Sequence, residues 1–102
     1  MRLQRFPWPG PEAPEESALR DRLEREGFSV FPWRDRPGAS YSPHSHDHDE
    51  SLWVIDGEIT FGAAGEELRL VTGDRLMLPR GTLHTARAGP RGATYLIGQR
   101  LG

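Results

Sequence analysis

Three of the four histidines in this 102-residue chain lie within seven residues, in the segment HSHDHDE. His44, His46 and His48 alternate with other polar residues, and Glu50 follows at the same spacing. Residues two apart on a β-strand point to one face, so His44 and His46 can address a common point. Imidazole nitrogens and a carboxylate oxygen suit iron, manganese, nickel, copper or zinc. The segment therefore predicts a site for a transition metal.

The fourth histidine, His84, is the remaining candidate for a ligand from elsewhere in the chain. It follows Pro79-Arg80-Gly81, a turn sequence, and is expected to begin a new strand that antiparallel pairing could bring opposite the first cluster. The chain contains no cysteine, so a metal would be held by nitrogen and oxygen alone. Two alternatives stay open: His46 and His48 could form the ligand pair, or the segment could be a solvated histidine-rich loop.

Composition narrows the classes of protein to which the chain can belong. Apolar residues make up 35% and charged residues 27% of the chain, which is typical of one globular domain. The net charge is -2 with both signs interspersed, so we expect no nucleic-acid partner. No apolar run reaches the roughly 18 residues of a membrane span, and the N-terminus lacks the features of a secretory signal. We therefore expect a cytoplasmic protein without a membrane partner.

The first 14 residues are predicted to form an extended, proline-rich arm. Pro7, Pro9 and Pro11 oppose helix formation and favour an extended or polyproline-like path. Phe6 and Trp8 are expected to pack against the outside of the domain or against a partner subunit.

Residues 15–27 are predicted to form a short surface helix. Pro14 suits its first position, and Gly27 suits its C-terminal end. Its apolar stripe is narrow, consisting of Ala18, Leu19 and Leu23, and two acidic–basic pairs have i,i+4 spacing.

Residues 28–102 are predicted to form an antiparallel sandwich or barrel, because short apolar runs alternate with turn signals. The runs are FSVFPW, SLWVI, EITFG, ELRLV, RLMLP, LHTAR and ATYLIG. Asp56-Gly57 predicts a two-residue hairpin between the second and third runs. Further turns are expected within 62–65 and 72–74.

The histidine cluster and its flanking glycines resemble the first motif of the cupin family. That motif is a glycine, five residues, His-x-His, three or four residues, a glutamate, six residues and a glycine. Gly38, His44, His46, Glu50 and Gly57 match it with every gap in register.

The second cupin motif is also similar to this chain. It is a glycine, five residues, Pro-x-Gly, two residues, a histidine, three residues and an asparagine. Gly73, Pro79, Gly81 and His84 match it, and Ala88 stands where the family has asparagine.

The resemblance implies an all-β fold, an antiparallel jelly-roll β-barrel, here with an N-terminal arm and one short helix. It implies His44, His46, Glu50 and His84 as ligands of one divalent transition metal, which could be iron, manganese, nickel, copper or zinc. His48 is outside this set and is expected on the loop surface or behind the ligands, where a neighbouring carboxylate could orient an imidazole. The resemblance and the sheet edges of a small barrel together predict a homodimer.

The interior of the barrel is predicted from side-chain parity with Glu50 and His84. The apolar residues expected to line a ligand pocket are Leu52, Val54, Leu76, Leu78 and Ala86. The polar candidates for binding an acid are Tyr41, Arg75, Arg80, Arg87 and Tyr95, although Arg75 and Arg87 have outward parity and are expected as surface charges. Trp53 has the opposite parity to Glu50 and should pack under the helix or at a subunit contact.

Two functions fit these features. The first is a metal-dependent oxygenase, decarboxylase or isomerase acting on a small metabolite, as in cupins with three histidines and one glutamate. The second is a non-catalytic module that binds a metal or a small molecule, because a barrel of this size has little wall with which to exclude solvent.

Overall fold

A computed structural model describes residues 3–101, so Met1 and Arg2 of the predicted arm and Gly102 of the predicted barrel lie outside the described part. The described chain forms one helix and seven strands that belong to a single curled antiparallel sheet. In chain order the elements are β1 Gln4–Phe6, α1 Glu16–Arg25, β2 Ser29–Asp35, β3 Ser40–His44, β4 Asp49–Ala63, β5 Glu66–Val71, β6 Arg75–Leu78 and β7 His84–Arg100. The predicted all-β jelly-roll fold is confirmed.

Two long strands, β4 and β7, form the centre of the sheet and pair with each other along most of their length. Strand β4 also pairs with β6 over its first half and with β5 over its second half. Strand β7 pairs with β3 at its start and with β2 at its end. The two long strands therefore pair with every other described strand except β1, which pairs with β6.

The predicted hairpin at Asp56-Gly57 is wrong, because β4 continues through these residues without reversing direction. Gly57 has a φ of 77°, but β7 pairs with β4 on both sides of it, and the register shifts there. The positive φ makes a bulge that bends the strand without reversing it. A Cβ at Gly57 would lie 2.2 Å from the carbonyl oxygen of Gly92, so the two strands approach closely at this point.

The runs LHTAR and ATYLIG, predicted as two strands, are likewise joined in β7. Gly92, within β7, also has a positive φ, of 80°. The other predicted turns are confirmed: β4 turns into β5 at Ala64-Gly65, and β5 turns into β6 at Thr72-Gly73.

Helix α1 covers the outer face of the sheet over a second, smaller core. Leu19 and Leu23 are fully buried against Trp53, which confirms that this tryptophan packs under the helix. Ala18 is exposed, so the apolar stripe is narrower than predicted. The expected ion pairs of α1 are present, with N–O distances of 3.5 Å for Arg20–Glu16 and 3.4 Å for Arg25–Asp21.

The prediction that Arg75 is a surface charge is wrong. Its parity is outward, but α1 covers that face, so the residue is buried. Its guanidinium donates two hydrogen bonds to the carboxylate of Glu26, at 3.2 and 2.6 Å, and lies 4.8 Å from the ring centroid of Trp53. The paired guanidinium holds the pKa of Glu26 below its ordinary value.

The proline-rich segment begins with a strand of the same sheet. Strand β1 pairs antiparallel with β6, and the ring of Trp8 packs edge-on against Trp53 at 6.4 Å. The segment thus covers the outer edge of β6 within its own chain. No helix in residues 3–101 is long and apolar enough to cross a membrane.

Candidate metal centre

Three of the four histidines meet at one end of the barrel. His44 ends β3 and is paired across the sheet with His84, the first residue of β7. Their ring centroids are 4.4 Å apart, and the ring of His46 lies 5.0 Å from His44 and 5.4 Å from His84. Each ring offers a nitrogen within 4.8 Å of the other two, which is close enough for one ion to reach all three.

His46 reaches this cluster from a loop, so its predicted place on a strand with His44 is wrong. Strand β3 ends at His44, and β4 begins only at Asp49. The backbone N–H of Gly81 donates to the carbonyl oxygen of His46 at 2.8 Å. This hydrogen bond ties the loop to the turn before His84, and that contact, not strand parity, brings His46 to the other rings.

Hydrogen bonds to the backbone set the orientation of two of the imidazoles. His44 Nδ1 lies 2.7 Å from the carbonyl oxygen of Ser42, and His84 Nδ1 lies 2.8 Å from that of Thr82. Because a carbonyl oxygen only accepts, each Nδ1 carries the proton and each Nε2 keeps a free lone pair. Backbone support of this kind is typical of histidines that bind metals.

Burial favours the form of His84 that can bind a metal. The residue is 4% exposed, and desolvation lowers its pKa below the ordinary value, with His44 and His46 lowering it further. A lowered pKa keeps the ring neutral, and only a neutral imidazole can be a ligand.

Glu50 lies at the side of the three-histidine cluster and joins it through His46. Its Oε2 is 3.6 Å from His46 Nε2 and 3.0 Å from His48 Nε2, while Gln99 Nε2 donates to it at 3.5 Å. His46, His48 and Glu50 therefore form a second possible ligand group that shares His46 with the first. His48 contacts the carboxylate and is mostly buried, which fits a position behind the proposed ligands.

The donor atoms fit a divalent transition metal. The predicted set of His44, His46, His84 and Glu50 would provide three neutral nitrogens and one carboxylate oxygen, a combination that suits the first-row metals. The oriented Nε2 atoms and the buried Glu50 support this fit independently of the motif.

The cluster opens into a cavity of about 240 Å³ inside the barrel. Of the residues predicted to line a pocket, Leu52, Ala86, Tyr41 and Tyr95 do so. The other predicted residues lie elsewhere: Val54, Leu76 and Leu78 are buried in the main core, Arg80 and Arg87 are exposed, and Arg75 lies under the helix.

Sequence reasoning missed much of the cavity wall. The additional lining residues are Phe31 and Trp33 of β2, Phe61 of β4, and Ile97 and Gln99 of β7. Before the bulge in β4 the inward side chains have even numbers, as in Glu50 and Leu52, and after it they have odd numbers, as in Phe61. A parity count from Glu50 therefore fails beyond the bulge. The available signal was the pair of glycines, Gly57 and Gly92, whose positive φ marks these shifts.

A buried carboxylate with three neutral donors lies behind the aromatic wall. Asp35 accepts hydrogen bonds from Trp33 Nε1 at 2.9 Å, from the Tyr95 hydroxyl at 2.7 Å and from the Tyr41 hydroxyl. Burial, and then the bond to Asp35, raise the pKa of both tyrosines above the ordinary value. Both phenols therefore stay protonated, with their protons directed to Asp35.

Comparison of the sequence with protein families gives one result that covers most of the domain. The sequence model of a family described as "Cupin domain" matches residues 33–96. This range includes all the predicted ligands. No curated protein matches the chain significantly.

Solved structures with the same fold come from several bacteria. KdgF from Halomonas sp. is 30% identical, with 72% of this chain and 70% of that chain covered and a TM-score of 0.61. An RmlC-like cupin from Shewanella frigidimarina is 22% identical over 74% and 68% of the two chains, with a TM-score of 0.66. A cupin superfamily protein from Desulfitobacterium hafniense is 16% identical over 99% and 79%, also with a TM-score of 0.66.

Proposed function

The chain belongs to the cupin domain family, and on that premise we propose that it is a mononuclear metal-dependent enzyme acting on a small metabolite. The observation that carries the proposal is the convergence of His44, His46 and His84 on the floor of a cavity. Glu50, beside His46, is the proposed fourth ligand.

The reaction class that fits this arrangement is oxygenation, decarboxylation or isomerisation. A divalent transition metal held there would act as a Lewis acid and template, or as a redox centre if it were iron, nickel or copper. The protein's own part is to orient His44 and His84 through the carbonyl oxygens of Ser42 and Thr82, and to keep His84 neutral through burial. Apolar side chains such as Leu52 and Phe61 displace water around a bound metabolite.

One observation favours the second candidate, a non-catalytic binding module. The titratable side chains among the described cavity residues are the proposed ligands and two tyrosines. The protons of Tyr41 and Tyr95 are both engaged by Asp35, so the wall offers no side chain free to act as a general acid or base.

The first test is the metal content of tag-free protein purified without added metal or chelator, measured by mass spectrometry. We expect close to one transition-metal ion per chain, and its loss in His84→Ala. Oxygen uptake and product formation with the loaded protein would then separate the enzyme from the binding module. Absence of metal, with none taken up on reconstitution, would contradict both the metal site and the enzyme.

A further inference from the structure

We infer that the cavity takes a molecule of about one aromatic ring whose only charge lies on the oxygens that would bind the metal, and that Asp35 sets this preference. The inference rests on the proposed function for the metal-binding end of the molecule. The class of ligand comes from the aromatic wall of the cavity, which begins beside the imidazoles.

That wall is largely aromatic. Five aromatic side chains contribute to it, Phe31, Trp33, Tyr41, Phe61 and Tyr95. The Phe61 ring is 6.1 Å from that of His84, and the Tyr41 ring is 6.5 Å from that of His44. The aromatic surface therefore starts directly beside the imidazoles, so a ring bound to the metal through its substituents would contact other rings at the distances that aromatic pairs prefer.

The two hydroxyl groups in this wall already donate to a buried carboxylate. Tyr41 and Tyr95 both donate to Asp35, and so does Trp33 Nε1. Each hydroxyl has one proton, so neither can donate to a ligand while Asp35 accepts it. These three side chains therefore present ring surfaces and oxygen lone pairs, and a carboxylate or phosphate on the ligand would find no free donor among them.

The carboxylate behind the wall is buried. Asp35 is 5% exposed and forms no ion pair within residues 3–101, and no described arginine lines the cavity. Its negative charge repels a second anion placed in the cavity. A ligand with a distal anionic group would also lose its hydration without compensation.

The size of the cavity also limits the ligand. The cavity of about 240 Å³ is larger than the ~150 Å³ of an apolar cavity that binds benzene. It therefore has room for one substituted ring beside the imidazoles.

The test compares three probes by calorimetry, first with the metal-free chain and then with the zinc-loaded chain under nitrogen. The probes are 1,2-dihydroxybenzene, 3,4-dihydroxybenzoate, which adds a carboxylate, and cyclohexane-1,2-diol, which lacks the aromatic ring. With the metal-free chain we expect 1,2-dihydroxybenzene to bind about tenfold more tightly than either comparator. Equal or tighter binding of either comparator would overturn the inference.

The zinc-loaded chain separates this inference from the proposed function. Zinc should increase the affinity for 1,2-dihydroxybenzene, and this probe should still bind more tightly than 3,4-dihydroxybenzoate. If the metal-free order holds and zinc neither binds nor tightens the probe, the metal-centred function fails and the assignment of the ligand class stands.

The role of Asp35 is tested by the ratio of affinities, which a purely structural role would not change. In Asp35→Asn the buried charge is lost and one tyrosine hydroxyl becomes free to donate to a ligand. The affinity for 3,4-dihydroxybenzoate should therefore rise about fivefold relative to that for 1,2-dihydroxybenzene. Asp21→Asn, the same change on the exposed face of α1, should leave the ratio unchanged. An unchanged ratio in a folded Asp35→Asn protein would overturn the assignment.

A second variant serves if Asp35→Asn does not fold. Tyr41→Phe keeps the ring and the charge of Asp35 and removes only a hydroxyl that donates to Asp35, so the preference for 1,2-dihydroxybenzene over 3,4-dihydroxybenzoate should persist. A tenfold loss of affinity for 1,2-dihydroxybenzene in Tyr41→Phe would show that the hydroxyl binds the ligand, contrary to the inference.

Discussion

At the scale of single residues, His44 and His84 owe their orientation to the same local arrangement. In each case Nδ1 donates to the carbonyl oxygen two residues earlier, on Ser42 or Thr82. The free Nε2 atoms are fixed before any ligand arrives, so a metal would bind without first having to order these two rings.

The first prediction distinguishes the proposed ligands from His48. His84→Ala and His46→Ala should each abolish stoichiometric zinc binding, because each removes a nitrogen of the converging cluster. His48→Ala should keep one ion per chain with an affinity lower by about tenfold, since His48 only supports Glu50. Isothermal calorimetry measures the three variants, with thermal unfolding as the control for folding. Loss of stoichiometric binding in His48→Ala would instead favour the group of His46, His48 and Glu50.

The second prediction concerns pH and the stability of the metal-free protein. Burial places the pKa of His84 in the folded chain below its value in the unfolded chain, so on acidification the unfolded chain takes up this proton first. The stability due to neutral His84 is fully present above a pH of about 6.5 and is lost as the pH falls through the lower folded pKa. The midpoint temperature of thermal unfolding should therefore decrease when the pH is lowered from 7 to 5. His84→Gln should show a smaller fall, and an equal fall in both proteins would contradict the role of His84.

At the scale of secondary-structure elements, two bulged strands decide the shape of the barrel. Gly57 in β4 and Gly92 in β7 both have positive φ, and the backbones of these two glycines approach closely in the paired strands. Because of the bulges, both halves of each strand contribute side chains to the main core. The inward-facing residues have even numbers before the bulge and odd numbers after it.

The third prediction compares two glycines with similar backbone angles. Gly57→Ala should destabilise the protein by more than about 3 kcal/mol, because the added Cβ would meet the carbonyl oxygen of Gly92 at 2.2 Å in addition to the strain of a positive φ. Gly65→Ala, at a φ of 81° with no atom within 4 Å of the added Cβ, should cost only about 1 kcal/mol. Chemical denaturation of both variants measures the difference, and equal losses would contradict the close approach of β4 and β7.

At the scale of the whole molecule, the strand order ends at β1 and at β2, and each pairs with one strand among the described residues. Strand β1 covers β6 within the chain, so the arm is not available in this arrangement to extend a neighbour's sheet through that contact. Strand β2 pairs with β7 alone among the described strands, and it carries two large exposed side chains, Phe31 and Trp33. Such an edge is suited to burial against a second subunit.

The fourth prediction is that the protein is a homodimer. Sedimentation equilibrium at micromolar concentration should give twice the chain mass of 11.5 kDa. The tryptophan fluorescence should shift to longer wavelength on dilution if the β2 edge is the buried surface, because Trp33 would then enter water, and this shift should be absent in Trp33→Phe. A monomer throughout the micromolar range would contradict the prediction.

The sequence by itself determined the family, the fold class and the proposed ligands. These depend on local spacing: the intervals among Gly38, His44, His46, Glu50 and Gly57 are in the chain whatever its surroundings. The helix was also predictable, because the spacing of its ion pairs and its C-terminal glycine act within a few turns.

Only the tertiary structure decided which side chains face the cavity. Parity is a property of an uninterrupted strand, and a bulge forms only when a partner strand pairs on both sides of it, as β7 does around Gly57. Because this pairing is not visible in the sequence, Asp56-Gly57 was predicted as a hairpin and Phe61 was not predicted to face the cavity. The same holds for Arg75 and Asp35, whose burial depends on α1 and on two tyrosines that are distant from each other in the chain.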